Sequence, residues 1–246
     1  MKILEQLKRS FAITKKDLSI YYLKGSVVIQ GLLIPGFVFI SFIFRREMPI
    51  DSIIPGLLGM ALFFTVSAIT PVITPWETRM RTFERLVSSP IYLWTIILGD
   101  IVASVLFGLF VVSFIMLAGI LLLGVEIISF PLILGTIVAA FCFSSLGTLI
   151  SAPPADKPSD IMLIASLIKF PLIFISGVFV PITEMGKLKI LSFFSPLTYY
   201  TDLARYSMQG VSLFSPFVNI LILFVFTILL FLFSLIWHHK SLDKRF

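Results

Sequence analysis

Five long stretches of this 246-residue chain contain no Asp, Glu, Lys or Arg. They are residues 25–44, 52–76, 101–125, 127–155 and 206–237; a sixth, 161–183, is interrupted only by Lys169. A helix needs about 20 apolar residues to cross a hydrocarbon core of ~30 Å, and every run has that length. Hydrophobic residues make up 58% of the chain, including 26 Phe, more than a soluble fold of this size could hide from water. The pattern predicts an all-α membrane protein with six transmembrane helices.

Orientation follows from the basic residues, because Lys and Arg are retained on the cytoplasmic side. With the N-terminus inside, that side receives thirteen: Lys2, Lys8, Arg9, Lys15, Lys16, Lys24, Arg79, Arg81, Arg85, Lys157, Lys240, Lys244 and Arg245. Only Arg45, Arg46, Lys187, Lys189 and Arg205 fall outside. The reading is a multi-pass protein of the cytoplasmic (plasma) membrane with both termini in the cytoplasm. The net charge of +6 is then a topology signal. No stretch interleaves basic and aromatic residues as nucleic-acid binding would require. The first 24 residues are charged and lack the form of a cleavable signal. Cys142, the one cysteine, lies in a span and reads as a packing residue. His238 and His239 read as an interfacial pair, with no metal site.

Residues 1–24 carry Leu4, Leu7, Phe11, Leu18 and Tyr21 at helical spacing on one side, which predicts an amphipathic helix on the inner membrane surface. Residues 25–237 form the six-span domain, and 238–246 a cytoplasmic tail. Between spans three and four, Gly124 and Glu126 mark the turn. The fourth span repeats small residues every four positions (Thr136, Ala140, Ser144, Thr148, Ala152), the spacing that lets membrane helices approach closely. Residues 181–215 are long for an outer loop, poor in charge and rich in Leu, Phe and Tyr. One or two short helices dipping back into the outer leaflet would bury them.

No Ser/His/Asp set, paired intramembrane carboxylates, His/Cys cluster or phosphate-cradling G-x-x-x-x-G-K-[ST] loop occurs in the sequence. Two features stand out instead. Residues 76–90, WETRMRTFERLVSSP, place Met80, Phe83 and Val87 on one face of a short helix and Glu77, Arg81 and Arg85 on another. That is a docking knob for a partner or a loop that joins two spans. Lys169 lies well inside the fifth span, where a charge costs roughly 2.5–3.5 kcal/mol and should face protein or water. Snorkelling to the interface is the alternative.

At this point the chain resembles a family. FPLIFISGVFVP (residues 170–181) is similar to the fifth-span signature of type-2 ATP-binding cassette (ABC) exporter permeases. FSPLTYYTDLAR (194–205) resembles the block preceding their sixth span. TFERL (82–86) with Ser89-Pro90 looks like their cytoplasmic G-T-L-E-R-L…P element. Arg81 stands where that element usually has glycine.

The resemblance implies a permease subunit of an ATP-driven exporter, not itself an enzyme, with no cofactor of its own. ATP and Mg would be held by a separate ATP-binding cassette ATPase subunit. A second permease chain, identical or not, and the lipid bilayer are the other partners. Thr82, Phe83, Glu84, Arg85 and Leu86, within a coupling element at 77–90, would engage the ATPase, with Phe83 and Leu86 supplying buried contact. Lys169 and Ser176 are candidates for the translocation path. Pro181, Pro196, Tyr199, Asp202 and Arg205 belong to the outer re-entrant segment. A charge-poor interior of Phe, Leu and Ile suits a hydrophobic or amphipathic cargo. The competing readings are a stand-alone secondary transporter or channel with Lys169 as its ion-responsive group, and a membrane scaffold without cargo. Secondary transporters often show internal repeats, which this sequence lacks.

Overall fold

A computed structural model describes residues 3–22, 33, 37, 50–123, 129–155, 157–179, 182 and 185–242. Apart from residues 33 and 37, the expected first span (25–44) lies outside the described residues, as do the charges at 45–47, the turn at Gly124 and Glu126, and Pro181. Among those described, the protein is helical and contains no strand.

Helix α1 (Ile3–Asp17) runs on through a π-turn at Leu18–Tyr22. Helices α2 (Ile50–Val66) and α3 (Thr70–Arg79) are two parts of one broken span, and α4 (Thr82–Ser88) follows as a short surface helix. Then come α5 (Leu93–Leu123), α6 (Phe130–Ile150) and α7 (Pro158–Ile175). A 3-10 turn at Gly186–Leu188, the short α8 (Lys189–Ser192) and α9 (Pro196–Gln209) lead into α10 (Pro216–Ser241). Among the described residues, five helical stretches are long and apolar enough to cross a membrane: Ile53–Arg79, Leu93–Leu121, Phe130–Ile150, Pro158–Ile175 and Pro216–Ser241.

Proline and capping residues set several of these starts. Ser129 and Ser215 accept the amides of Leu132 and Val218, and Pro131 and Pro216 stand in the first turns, where no amide partner is needed. The chain alternates direction, so one end of the bundle holds α1, α4 and the start of α5. The opposite end holds α8 and α9. α6 packs against α2, α5, α9 and α10 and is the central helix. Its small-residue row is buried throughout: Thr136, Ala140, Ser144, Thr148 and Ala152. Hydrogen bonds join the helices along this row. Thr136 meets the Tyr200 hydroxyl at 3.0 Å, Ser144 meets Ser104, and Ser234 donates to Thr148 at 3.3 Å. Without a hydrophobic drive between helices in lipid, such contacts and close packing hold a bundle together. Phe143 stands edge-on to both Phe63 and Tyr200, and the three rings fill the space between α2, α6 and α9.

Three boundaries differ from the sequence reading. The third span begins at Leu93 and takes Asp100 inside it, although a charge had marked the edge of the run. The second span is interrupted at residues 67–69. Tyr206 belongs to α9 and not to the last span. The histidine pair is also split: His238 is buried against Ser234 and Ser151, while His239 is exposed.

Candidate functional site

The end of the bundle that carries α4 is built around α1, whose faces are arranged opposite to those of a soluble amphipathic helix. Gln6, Ser10, Ile13, Thr14 and Asp17 face the protein, while Ile3, Leu4, Leu7 and Phe11 are left exposed. The polar face has partners to meet. Gln6 accepts from the Thr95 hydroxyl at 2.8 Å and the Tyr92 amide at 3.3 Å, and its own amide donates to the Pro90 carbonyl at 3.4 Å. Arg9 donates to the same carbonyl. Thr14 donates to the carbonyl of Gly99 at 3.1 Å. That approach needs glycine, since a Cβ on Gly99 would lie 2.7 Å from the Ile13 side chain.

A buried charge cluster completes the seam. Lys16 pairs with Asp17 at 3.0 Å and with Glu77 of α3, while Asp100 of α5 is buried close by. Burial alone would lower the Lys16 pKa, but the carboxylates of Asp17, Glu77 and Asp100 outweigh it and hold the ammonium above the usual lysine range. Tyr21 stacks on Trp76 with centroids 5.8 Å apart, and burial raises its phenol, helped by the Glu77 charge. None of this constellation was identified from the sequence. The signal available was the polar stripe at 6, 10, 14 and 17, at helical spacing opposite the apolar one.

The expected knob exists as a surface turn and a helix, with its faces rearranged. Residues 76–90 are not one helix. The amides of Met80 and Arg81 close α3 on the carbonyls of Trp76 and Thr78. Arg81 then takes a left-handed conformation (φ 56°) before α4 begins. The reversal shifts the helical phase. Met80 is 76% exposed, whereas Phe83 is 1% exposed and packs with Ile13 and Ile96. Leu86 and Val87 lean on the same cluster. The expectation that Phe83 offers its ring to a partner is therefore corrected: it anchors α4 to α1 and α5. What faces outward is Arg79, Met80, Arg81, Thr82 and Arg85, with Glu84 half-buried.

At the opposite end, α9 ties down the segment after α7. Ser195 donates to the carbonyl of Leu172 at 3.0 Å, Thr201 to that of Ser176 at 3.1 Å, and Arg205 to that of Gly177 at 2.6 Å. Asp202 receives the amides of Leu213 and Phe214 at 2.8 and 3.0 Å and the side-chain amide of Asn219 at 2.9 Å. It fixes the turn into α10. Pro196 opens α9 in its first turn, and the Tyr199 hydroxyl donates to the Phe193 carbonyl at 2.9 Å.

The two path candidates are both engaged within the chain. Ser176 is fully buried and donates to the Ile173 carbonyl at 2.7 Å. Lys169, 8% exposed, donates to the backbone carbonyl of Ser67 in the break of the second span. Among the described residues no carboxylate pairs with it.

Bundle, surface turn and α9 braces together have the build of a helical membrane protein. The ABC-2 type transporter family matches residues 2–209, and the chain belongs to it. It is a permease subunit of an ABC transporter. It is similar to the inner membrane transport permease YadH of Escherichia coli K12, 26% identical over 194 residues, which cover 77% of this chain and 75% of that protein. The YadH proteins of Escherichia coli O157:H7 and Shigella flexneri match to the same extent.

Proposed function

We propose that this chain forms the membrane path of an ATP-driven exporter of the cytoplasmic membrane, moving a hydrophobic or amphipathic cargo. A separate ABC ATPase supplies hydrolysis with its own ATP and Mg, as family membership implies, and it meets the chain at the Met80–Arg85 turn. A second permease chain and lipid cover the apolar faces left open on α7 and α10, such as Leu163, Leu167, Phe170 and Phe174 on α7. Both termini and the turn lie in the cytoplasm, on the side that the basic residues favour.

The observation that supports this most directly is the turn itself. Its outward residues are three arginines around one methionine, and a buried Phe83 holds them to α1 and α5. An exposed apolar side chain ringed by charge of one sign fits a partner groove with an apolar floor and an acidic rim. Motion of such a partner would pass through α4 into α3 and α1 together, because Lys16–Glu77 and Tyr21–Trp76 lock those two helices.

The test is purification of the tagged chain from native membranes, with mass spectrometry and ATP hydrolysis as readouts. An ABC ATPase should be present in stoichiometric amount, and the double reversal Arg81→Glu/Arg85→Glu should strip it away while the chain stays folded. Absence of an ATPase would return the chain to a stand-alone role. Retention by the double reversal would move the docking surface elsewhere.

A further inference from the structure

The break between α2 and α3 has a chemical cause and an unusual repair. Pro71 has no amide hydrogen, so the carbonyl four residues earlier, that of Ser67, loses its helical donor. The neighbouring turns are also loosened. Ser67 and Thr70 turn their hydroxyls back onto the carbonyls of Phe63 (2.5 Å) and Val66 (2.9 Å), a pattern that bends helices. Val72 bonds to Ile69 in a tighter turn. The orphaned Ser67 carbonyl is buried, and its donor is the ammonium of Lys169, arriving from α7. α6 closes the other side: a Cβ on Gly147 would lie 2.5 Å from the Thr70 hydroxyl.

We propose that residues 67–69 are the joint at which the Met80-bearing end of the bundle bends against the rest, and that Lys169 is the pin of that joint. Lys169 is thus a positioning residue, substituting for the amide that Pro71 lacks, and it ties α7 to whatever moves α3. From the joint to Met80 is about 17 Å of helix at 1.5 Å per residue. A bend of ~10° at the joint moves that tip by ~3 Å, the start of α5 tilting with α1, which is bonded to it and through Lys16–Glu77 to α3. The idea that an ATPase drives the bend rests on the function proposed above, but the joint and its pin do not.

The experiment uses the full chain in lipid nanodiscs, without any ATPase, in a Cys142→Ser background so that introduced cysteines are unique. Spin labels at Met80→Cys and Phe130→Cys, both exposed positions, report the distance from the turn to the far end of α6. The unmodified joint and Lys169→Arg should give a narrow distribution, and Lys169→Met a shifted or broadened one, by several ångströms. Pro71→Ala restores an amide to the Ser67 carbonyl, so Lys169→Met/Pro71→Ala should be narrow again, as should Pro71→Ala alone. A lysine that served only packing or cargo would not be rescued by a proline replacement elsewhere in the chain. No change in Lys169→Met, or no rescue in the double variant, overturns the proposal. If Lys169→Met cannot be recovered as folded protein, recovery of the double variant decides in the same way. Failure of Pro71→Ala alone to fold would equally overturn it.

Discussion

Replacing Arg81 by glycine should stabilise this protein while weakening its attachment to a partner. Arg81 holds φ at 56°, where an L-residue with a Cβ meets its own carbonyl at a cost of roughly 1–2 kcal/mol. Glycine removes that cost but gives back roughly 0.5–1 kcal/mol through the greater freedom of the unfolded chain. The net gain is then about 0.5–1 kcal/mol. For a chain of this length 1 kcal/mol moves the unfolding midpoint by about 2–4 °C, so a rise of ~1–4 °C is expected in detergent-solubilised protein. Arg81→Ala is the control, because it deletes the guanidinium and keeps the Cβ. Its midpoint should not rise. Both variants lose one of the three outward arginines, so both should bind an acidic partner less tightly. Equal midpoints for the two variants, or a lower one for Arg81→Gly, would show that the left-handed turn is not what Arg81 strains against.

Two further outcomes separate the inner side of the turn from its outer side. Phe83→Ala empties a site among Ile13 and Ile96 and should cost ~3–5 kcal/mol, the range for buried Phe truncations, read as a lower midpoint and as faster proteolysis of α1. Met80→Ala, exposed, should stay within about 0.5 kcal/mol of the parent and act on partner binding alone. Lys16→Met leaves Glu77 and Asp17 buried without their cation. A broken buried pair costs ~3–5 kcal/mol, and because the Lys16 side chain is 27% exposed the expected loss in denaturant titration is nearer 2–3. The Lys16 pKa is raised on folding, so its contribution is fully present below the ordinary lysine range and fades only as pH rises through the folded value. The stability gap between parent and Lys16→Met should therefore show no loss of the lysine term from about pH 6 to pH 9. A gap that closes in that window would mean that Lys16 is not held by these carboxylates.

The helices were legible because a bilayer demands long apolar runs, and charge-free stretches report those directly. What the runs conceal is tertiary compensation. Asp100 seemed to end a run, since an unpaired carboxylate does not enter a span. It lies inside α5, buried against the charged seam of Asp17, Glu77 and Lys16 that residues distant in sequence bring to it. Phe83 was placed with Met80 by helical spacing, which assumes unbroken phase across 76–90. One left-handed residue at Arg81 cancels that phase and turns the two side chains to opposite sides. Of the stripe Leu4, Leu7, Phe11, Leu18 and Tyr21, only the first three form an exposed face, while Leu18 and Tyr21 pack inward; the opposite polar face, which makes the contacts, drew no notice because polar residues near a terminus look merely solvated. The signature residues Asp202 and Arg205 were found by resemblance alone. Nothing in their own spacing says that one caps the turn into α10 and the other the carbonyl of Gly177.

Lys169 shows how a charge that looks like a transport residue can be answered by local backbone chemistry. An ionisable group in a span invites a functional reading because it costs roughly 2.5–3.5 kcal/mol to place there. Pro71 creates a second liability, a buried carbonyl without a donor, worth about 1–3 kcal/mol. Bonded together the two liabilities offset one another, yet the sum is no better than an ordinary helix with neither residue. Stability alone would favour an alanine at 71 and an apolar side chain at 169. The pair gains a meaning only if a weakened point in the second span is itself useful. The position of that point is consistent with such a use, because it lies between the end that α1, α4 and Lys16 bind into one body and the end that α9 braces. A bundle with both ends fastened can transmit movement only through what lies between them, and at residues 67–69 the second span keeps its turn bonds but takes the donor for its Ser67 carbonyl from another helix.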